Sequence, residues 1–121
     1  MTDEEDDYAG SLLVAISDSA ILVPQHWALE TTNGLILAER RGRSSPEETL
    51  VALAFIRDLP IRVDSGTFEG AWNDTLSIAR SRRLTTYDAA YLELALRSGR
   101  ALATLDVKLK QAATAEGVQL A

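Results

Sequence analysis

The stretch from Leu84 to Asp106, LTTYDAAYLELALRSGRALATLD, constrains the fold more tightly than any other part of the chain. Thr85 or Thr86 supplies an N-cap, an almost wholly apolar helix runs to Ser98, and Gly99 stops it. A short apolar strand, ALAT at 101–104, follows at once. Apolar strands without period-two alternation, interleaved with helices, imply right-handed crossovers and a parallel sheet covered on both faces. This apolar unit nevertheless carries Asp88 in the first turn of its helix and Asp106 directly after its strand. A charge in such a setting costs several kcal/mol unless it is paired or bound to a metal.

The rest of the chain repeats the alternation. Residues 6–17 read as a first helix and AILV at 20–23 as a strand, with Pro24 as helix starter. The next helix runs to about Arg41, where Gly42 is the stop and Ser45-Pro46 the cap and first turn of another. That one, ETLVALAFIRDL, ends before Pro60, and IRV at 61–63 is the second strand. Helices over about 68–82 and 107–116 and a last strand, VQL after Gly117, complete an α/β domain of 121 residues. Trp27, Phe55, Trp72 and Tyr91 sit at helical spacing among aliphatic residues and are expected in the core. A chain that starts on a helix has no opening strand before it.

Parallel strands all end at one edge of their sheet, where the following helices begin and ligand sites collect. Glu30 lies in the second turn of the helix after strand 20–23, on a stripe with Trp27, Gly34 and Leu37. Asp88 heads a face with Tyr91, Leu92 and Ala95, and Asp106 follows strand 101–104. All three acids therefore belong to one edge. Each also has an ordinary structural role open to it: Asp88 as capping-box partner of Thr85, Asp106 as an N-cap, Glu30 as partner of an Arg. Three carboxylates brought together repel, and a divalent cation relieves the repulsion. With no cysteine and one histidine in the chain, oxygen ligands favour Mg²⁺ or Mn²⁺ over Zn²⁺. Asn33, one turn beyond Glu30, is a candidate for a metal-bound water or substrate, and Thr104 for a hydrogen bond to a ligating carboxylate. The lone His26 reads as a capping or packing residue.

The absence of cysteine excludes disulfides, thiolate metal sites and cysteine nucleophiles. No apolar stretch approaches a membrane span, and the acidic opening MTDEEDDYAG is not a signal peptide, so a cytoplasmic protein is expected. Gly-rich phosphate loops and Gly-x-Ser-x-Gly elbows are missing as well. The net charge of −6 is concentrated at the start: Asp3, Glu4, Glu5, Asp6 and Asp7 leave 13 acids against 12 bases for the remainder. Two clusters, Arg40, Arg41 and Arg43, then Arg80, Arg82 and Arg83, fit helix C-termini. The first is also a candidate phosphate-binding patch.

PQHWALETTNGLILAERRGR, followed by LTTYDAAYLELALRSGRALATLDVKLKQAATAEGV, resembles a PIN-domain ribonuclease of the VapC toxin type. The resemblance implies a three-layer α/β fold with a short parallel sheet. It makes Glu30, Asp88 and Asp106 three members of an acidic quartet that binds Mg²⁺ or Mn²⁺, and Arg40, Arg41 and Arg43 an RNA-binding patch. It implies cleavage of RNA phosphodiesters, a homodimer and a VapB-type antitoxin as partner. The central opening strand and the first acid of that family have no counterpart here. Either the natural start lies upstream or another element fills the gap, with Asp3, Glu4, Asp6 or Asp7 as substitute acids. The alternative function is a catalytically inactive interaction module that binds an antitoxin or a second copy. A receiver-like Mg²⁺ switch is disfavoured, because no Lys follows the last strand.

Overall fold

The computed structural model describes residues 15–16 and 20–121. Strand β1 (Ala15–Ile16) and strand β2 (Ile21–Val23) precede helices α1 (Trp27–Arg40) and α2 (Pro46–Arg57). Strand β3 (Ile61–Val63) leads into α3 (Thr67–Trp72), α4 (Asp74–Arg82) and α5 (Thr86–Ser98). Strand β4 (Ala101–Leu102) and α6 (Val107–Ala115) complete the order.

The sheet order is β3-β2-β1-β4. Strands β2 and β3 are parallel, with Ile21 opposite Ile61 and Val23 opposite Val63. Strand β1 is antiparallel to β2 and to β4, so β2, β3 and β4 share one direction. Their carboxyl ends therefore lie at one edge, as the alternation of elements predicts. The central position, for which the opening strand has no counterpart, is filled by another element: Ala15–Ile16 lies there, running against its neighbours. Those two residues also belong to a strand and not to the expected helix over 6–17; the rest of that segment lies outside the described residues.

Three other expectations change. The strand at 101–104 is only Ala101–Leu102, and VQL contributes a single parallel bridge from Leu120 to Leu102. The helix over 68–82 is two helices, broken at Asn73 with φ −123° and ψ −102°. Asn73 is a residue whose side chain competes for backbone groups, and here its Nδ2 donates to the Glu69 carbonyl at 3.1 Å.

Helix α5 is the centre of the molecule. Ala89 to Ala95 are buried without interruption, and the helix packs on α3, α4, α6, β1 and β4. Val23, Trp27, Leu102, Leu109, Ala112 and Ala113 join it in one apolar cluster. A helix that is apolar all round must be enclosed on every side, and this one is. Its ends are set locally: Thr85 Oγ1 accepts from the Asp88 N–H at 3.1 Å, and Gly99 takes the left-handed φ of +68° that terminates helices.

Helix α2 has an equally clear local code. Ser45 and Glu48 form a reciprocal capping box, both bonds at 3.1 Å, and Pro46 opens the first turn. It buries no residue. Phe55 and, on α3, Trp72 were expected in the core; they are 68% and 66% exposed. Trp72 instead packs edge-on against Phe68, with ring centroids 5.8 Å apart.

Candidate active site

Strand β2 ends at Val23, and the buried Pro24 turns the chain into α1. The Trp27 and Glu30 amides donate to the Pro24 and His26 carbonyls, both at 3.1 Å, which fixes the first turn. On that turn Glu30 is only partly covered, with 28% of its side chain exposed. Its Oε1 accepts from the Tyr91 hydroxyl at 2.5 Å and lies 3.2 Å from His26 Nε2. Tyr91 itself is fully buried in α5. The partners of Glu30 are thus a phenol and an imidazole, not the Arg that was its alternative structural role.

His26 Nε2 also lies 3.1 Å from the Tyr87 carbonyl. Both neighbours of this nitrogen are acceptors, so Nε2 carries the proton. The ring sits edge-on to Tyr91, with centroids 5.1 Å apart, and tilted against Tyr87 at 5.7 Å. His26 occupies the N-cap position of α1 but makes no side-chain cap bond. Of the two roles open to it, capping or packing, it takes packing, against the Tyr87 and Tyr91 rings, and it also contacts Glu30.

Asp88, one turn before Tyr91, is half-buried on the same side of α5. Burial, then the hydrogen bond to Glu30, then the charges of Glu30 and Asp88 raise the Tyr91 phenol above its ordinary value of 10.0. Tyr91 therefore remains a protonated donor throughout the working range.

Asp106 follows β4 and caps α6: its Oδ1 accepts from the Leu109 N–H at 3.1 Å. Its own N–H donates to Thr104 Oγ1 at 3.1 Å, so Thr104 supports the backbone at Asp106. Among the described residues, no three His, Asp or Glu side chains gather closely enough to hold one ion between them. The Tyr91 hydroxyl binds Glu30, Asp88 lies one turn before Tyr91 on α5, and Asp106 caps α6. The donors at this edge are carboxylate oxygens, which suits a hard divalent cation in kind.

Asn33 is exposed and lines, with His26, Glu30, Leu53 and Tyr87, an open groove of about 820 Å³ between α1 and α2. Arg40, Arg41 and Arg43 are exposed at the far end of α1. Ten residues separate Glu30 from Arg40, about 15 Å along a helix axis. Arg82 bonds Glu116 at 2.8 Å and so ties α4 to the end of α6.

Sequence reasoning did not foresee the polar partners of Tyr91 or a second ionic group behind the edge. Arg97 binds Asp64 after β3 at 2.6 and 3.0 Å, and Glu93 on its own helix at 2.7 and 3.1 Å. The Glu93 side chain is 5% exposed. Asp64 also accepts from Thr67 at 3.1 Å, and Thr67 Oγ1 accepts from the Gln25 N–H at 3.1 Å. This chain of bonds links α5 to the turn that starts α1. The signals were present: Glu93 and Arg97 stand at i, i+4, and a tyrosine in an aliphatic run needs a partner for its hydroxyl. The Arg97 guanidinium holds the Asp64 carboxyl below its ordinary 3.8 against the opposing effect of burial.

The sequence matches the family described as PIN domain over residues 2–115. No curated protein matches it.

Proposed function

The chain belongs to the PIN domain family, whose members are generally nucleases, and from that premise we propose a divalent-metal-dependent endoribonuclease. The supporting observation is Glu30 of α1 held by the buried Tyr91 hydroxyl of α5, the helix whose first turn carries Asp88, at the carboxyl edge of the sheet. Glu30, Asp88 and Asp106 are the residues assigned to the ion, Mg²⁺ or Mn²⁺, with Asn33 and Thr104 in support. When bound, such an ion activates water and stabilises the leaving oxygen in an in-line displacement at phosphorus. The protein's own contribution is placement: Glu30 is fixed by Tyr91 and His26, and Asp88 by the cap of α5. Arg40, Arg41 and Arg43 are proposed to take up the RNA backbone beyond the groove.

In this reading the protein is a cytoplasmic toxin of a toxin–antitoxin pair, acts as a homodimer and is blocked by a VapB-type antitoxin. No described helix is long and apolar enough to cross a membrane. The exposed Leu50, Val51 and Phe55 of α2 favour a protein partner, which also keeps the inactive interaction module as a second reading.

The test is cleavage of a labelled single-stranded RNA with Mg²⁺ or Mn²⁺ and with EDTA. The native chain should cleave only with metal, and Asp88→Asn should lose about 100-fold or more, beyond the roughly 10–100-fold typical of losing a ligand's supporting partner. Full activity in Asp88→Asn refutes the mechanism. A native chain that never cleaves but retains a partner protein supports the interaction module.

A further inference from the structure

We propose that Thr67, held by the Asp64–Arg97 pair, is a positioning residue: it fixes the Gln25 amide and with it the first turn of α1, on which His26 and Glu30 meet α5. The effect on catalysis rests on the functional reading above; the effect on the turn does not.

Two anchors hold that turn. One is α5, through the Tyr91 hydroxyl on Glu30 and the Tyr87 carbonyl on His26. The other is the segment after β3. There the Asp64 N–H donates to the Val23 carbonyl at 2.8 Å, and Thr67 Oγ1 accepts from the Gln25 N–H at 3.1 Å. Pro24, between them, has no N–H to give, so these two bonds clasp the turn on either side of it. The Thr67 hydroxyl has one proton, and Asp64 Oδ2 takes it at 3.1 Å. An ionised carboxylate can only accept, so a lone pair of Thr67 is left facing the amide. Arg97 fixes the carboxylate in turn, with one nitrogen on each oxygen at 3.0 and 2.6 Å.

Burial of Glu93 explains why that residue needs Arg97. The Thr67 bond has no such cause: Gln25 is exposed, so water is at hand to serve its amide. What the bond supplies is direction. Helix α3 comes so close that a Cβ on Gly66 would lie 2.7 Å from Arg97 Nη1. The guanidinium therefore has little room to shift, and its orientation passes to Asp64, to Thr67 and to the start of α1.

The test compares Thr67→Val, which removes the hydroxyl and keeps the shape, with Thr67→Ser, which keeps the hydroxyl. His26 is the only histidine in the chain, so its ring gives a single set of NMR signals. In Thr67→Val that set should move at constant pH. Exchange of the Gln25 amide should quicken about five- to tenfold, the scale of one hydrogen bond. In the RNA cleavage assay kcat should fall about 10-fold with KM unchanged, within the roughly 100-fold that an ångström of misplacement costs. Thr67→Ser should restore all three. Unmoved His26 signals and Gln25 exchange in Thr67→Val, an unchanged kcat, or no recovery in Thr67→Ser overturns the proposal. If Thr67→Val does not fold, Gly66→Ala takes its place: the added methyl displaces Arg97 and should move the same signals, and their constancy overturns the proposal. If the native chain cleaves no RNA, the functional reading fails, and the two NMR measurements still decide whether Thr67 sets the turn.

Discussion

Helices α2 and α5 are of similar length, 12 and 13 residues, and both are rich in aliphatic side chains. Each is started by a hydroxyl cap that accepts an N–H three residues on, at 3.1 Å in both cases. Yet α5 buries Ala89 to Ala95 without a break, while α2 buries nothing. Local chemistry makes both helices. What separates them is the sheet: α5 packs on β1 and β4 and on three helices, whereas α2 touches the core through the partly buried Ile56. The comparison also divides the work of the molecule. The enclosed helix carries Asp88 and Tyr91 at the sheet edge, and the open one leaves Leu50, Val51 and Phe55 exposed.

The sharpest way to break this contrast is to cut the two helices alike. Leu92 is fully buried, so Leu92→Ala should cost about 2–5 kcal/mol in denaturant unfolding. Phe55→Ala, at a position 68% exposed, should stay within about 0.5 kcal/mol. Equal losses would show that α2 is as integral to the folded unit as α5.

The next effect in size concerns the ionic group behind α5. Arg97→Met leaves the buried Glu93 carboxylate without its cation and should cost about 1–3 kcal/mol; adding Glu93→Gln should recover part of it. This group also gives a pH dependence. The Asp64 carboxyl is depressed in the folded protein, so its contribution is present above its ordinary value near 3.8. It is lost as pH falls through the lower folded value. Stability measured below about pH 4 should therefore drop in the native chain and drop less in Arg97→Met. No equivalent buried group exists among the described residues of α2.

The smallest effects are at the caps. Ser45→Ala and Thr85→Ala should each cost about 1 kcal/mol or less in excess of noise. Only Thr85→Ala, which frees the Asp88 amide, should also weaken Mn²⁺ binding in calorimetry. A matching loss of affinity in Ser45→Ala would remove the distinction between the two helices.

How far the sequence reveals all this follows from the same contrast. Caps and stops act within a few residues, and Ser45, Gly42, Thr85 and Gly99 are legible because they do. The common edge of Glu30, Asp88 and Asp106 follows from strand direction, which the alternation of elements fixes. Burial depends on which helix reaches the sheet, so Phe55 and Trp72 look like core and are not. The break at Asn73 turns on one side chain reaching one carbonyl. The central strand is least legible: Ala15–Ile16 pairs on both sides through just two residues, too short a run to show a period. The partners of Glu30 were hidden for another reason, since Tyr91 lies 61 residues away along the chain.

The proposed function assigns Glu30, Asp88 and Asp106, at the starts of α1, α5 and α6, to one bound cation. It is tested most directly by adding Mn²⁺ in small steps to the isotopically labelled protein and recording paramagnetic broadening of each backbone amide. The account predicts that amides around Glu30, Asp88 and Asp106 broaden first and together, that those of α2 stay sharp, and that Asp88→Asn abolishes the effect. Broadening that spares this edge, or that is unchanged in Asp88→Asn, contradicts it.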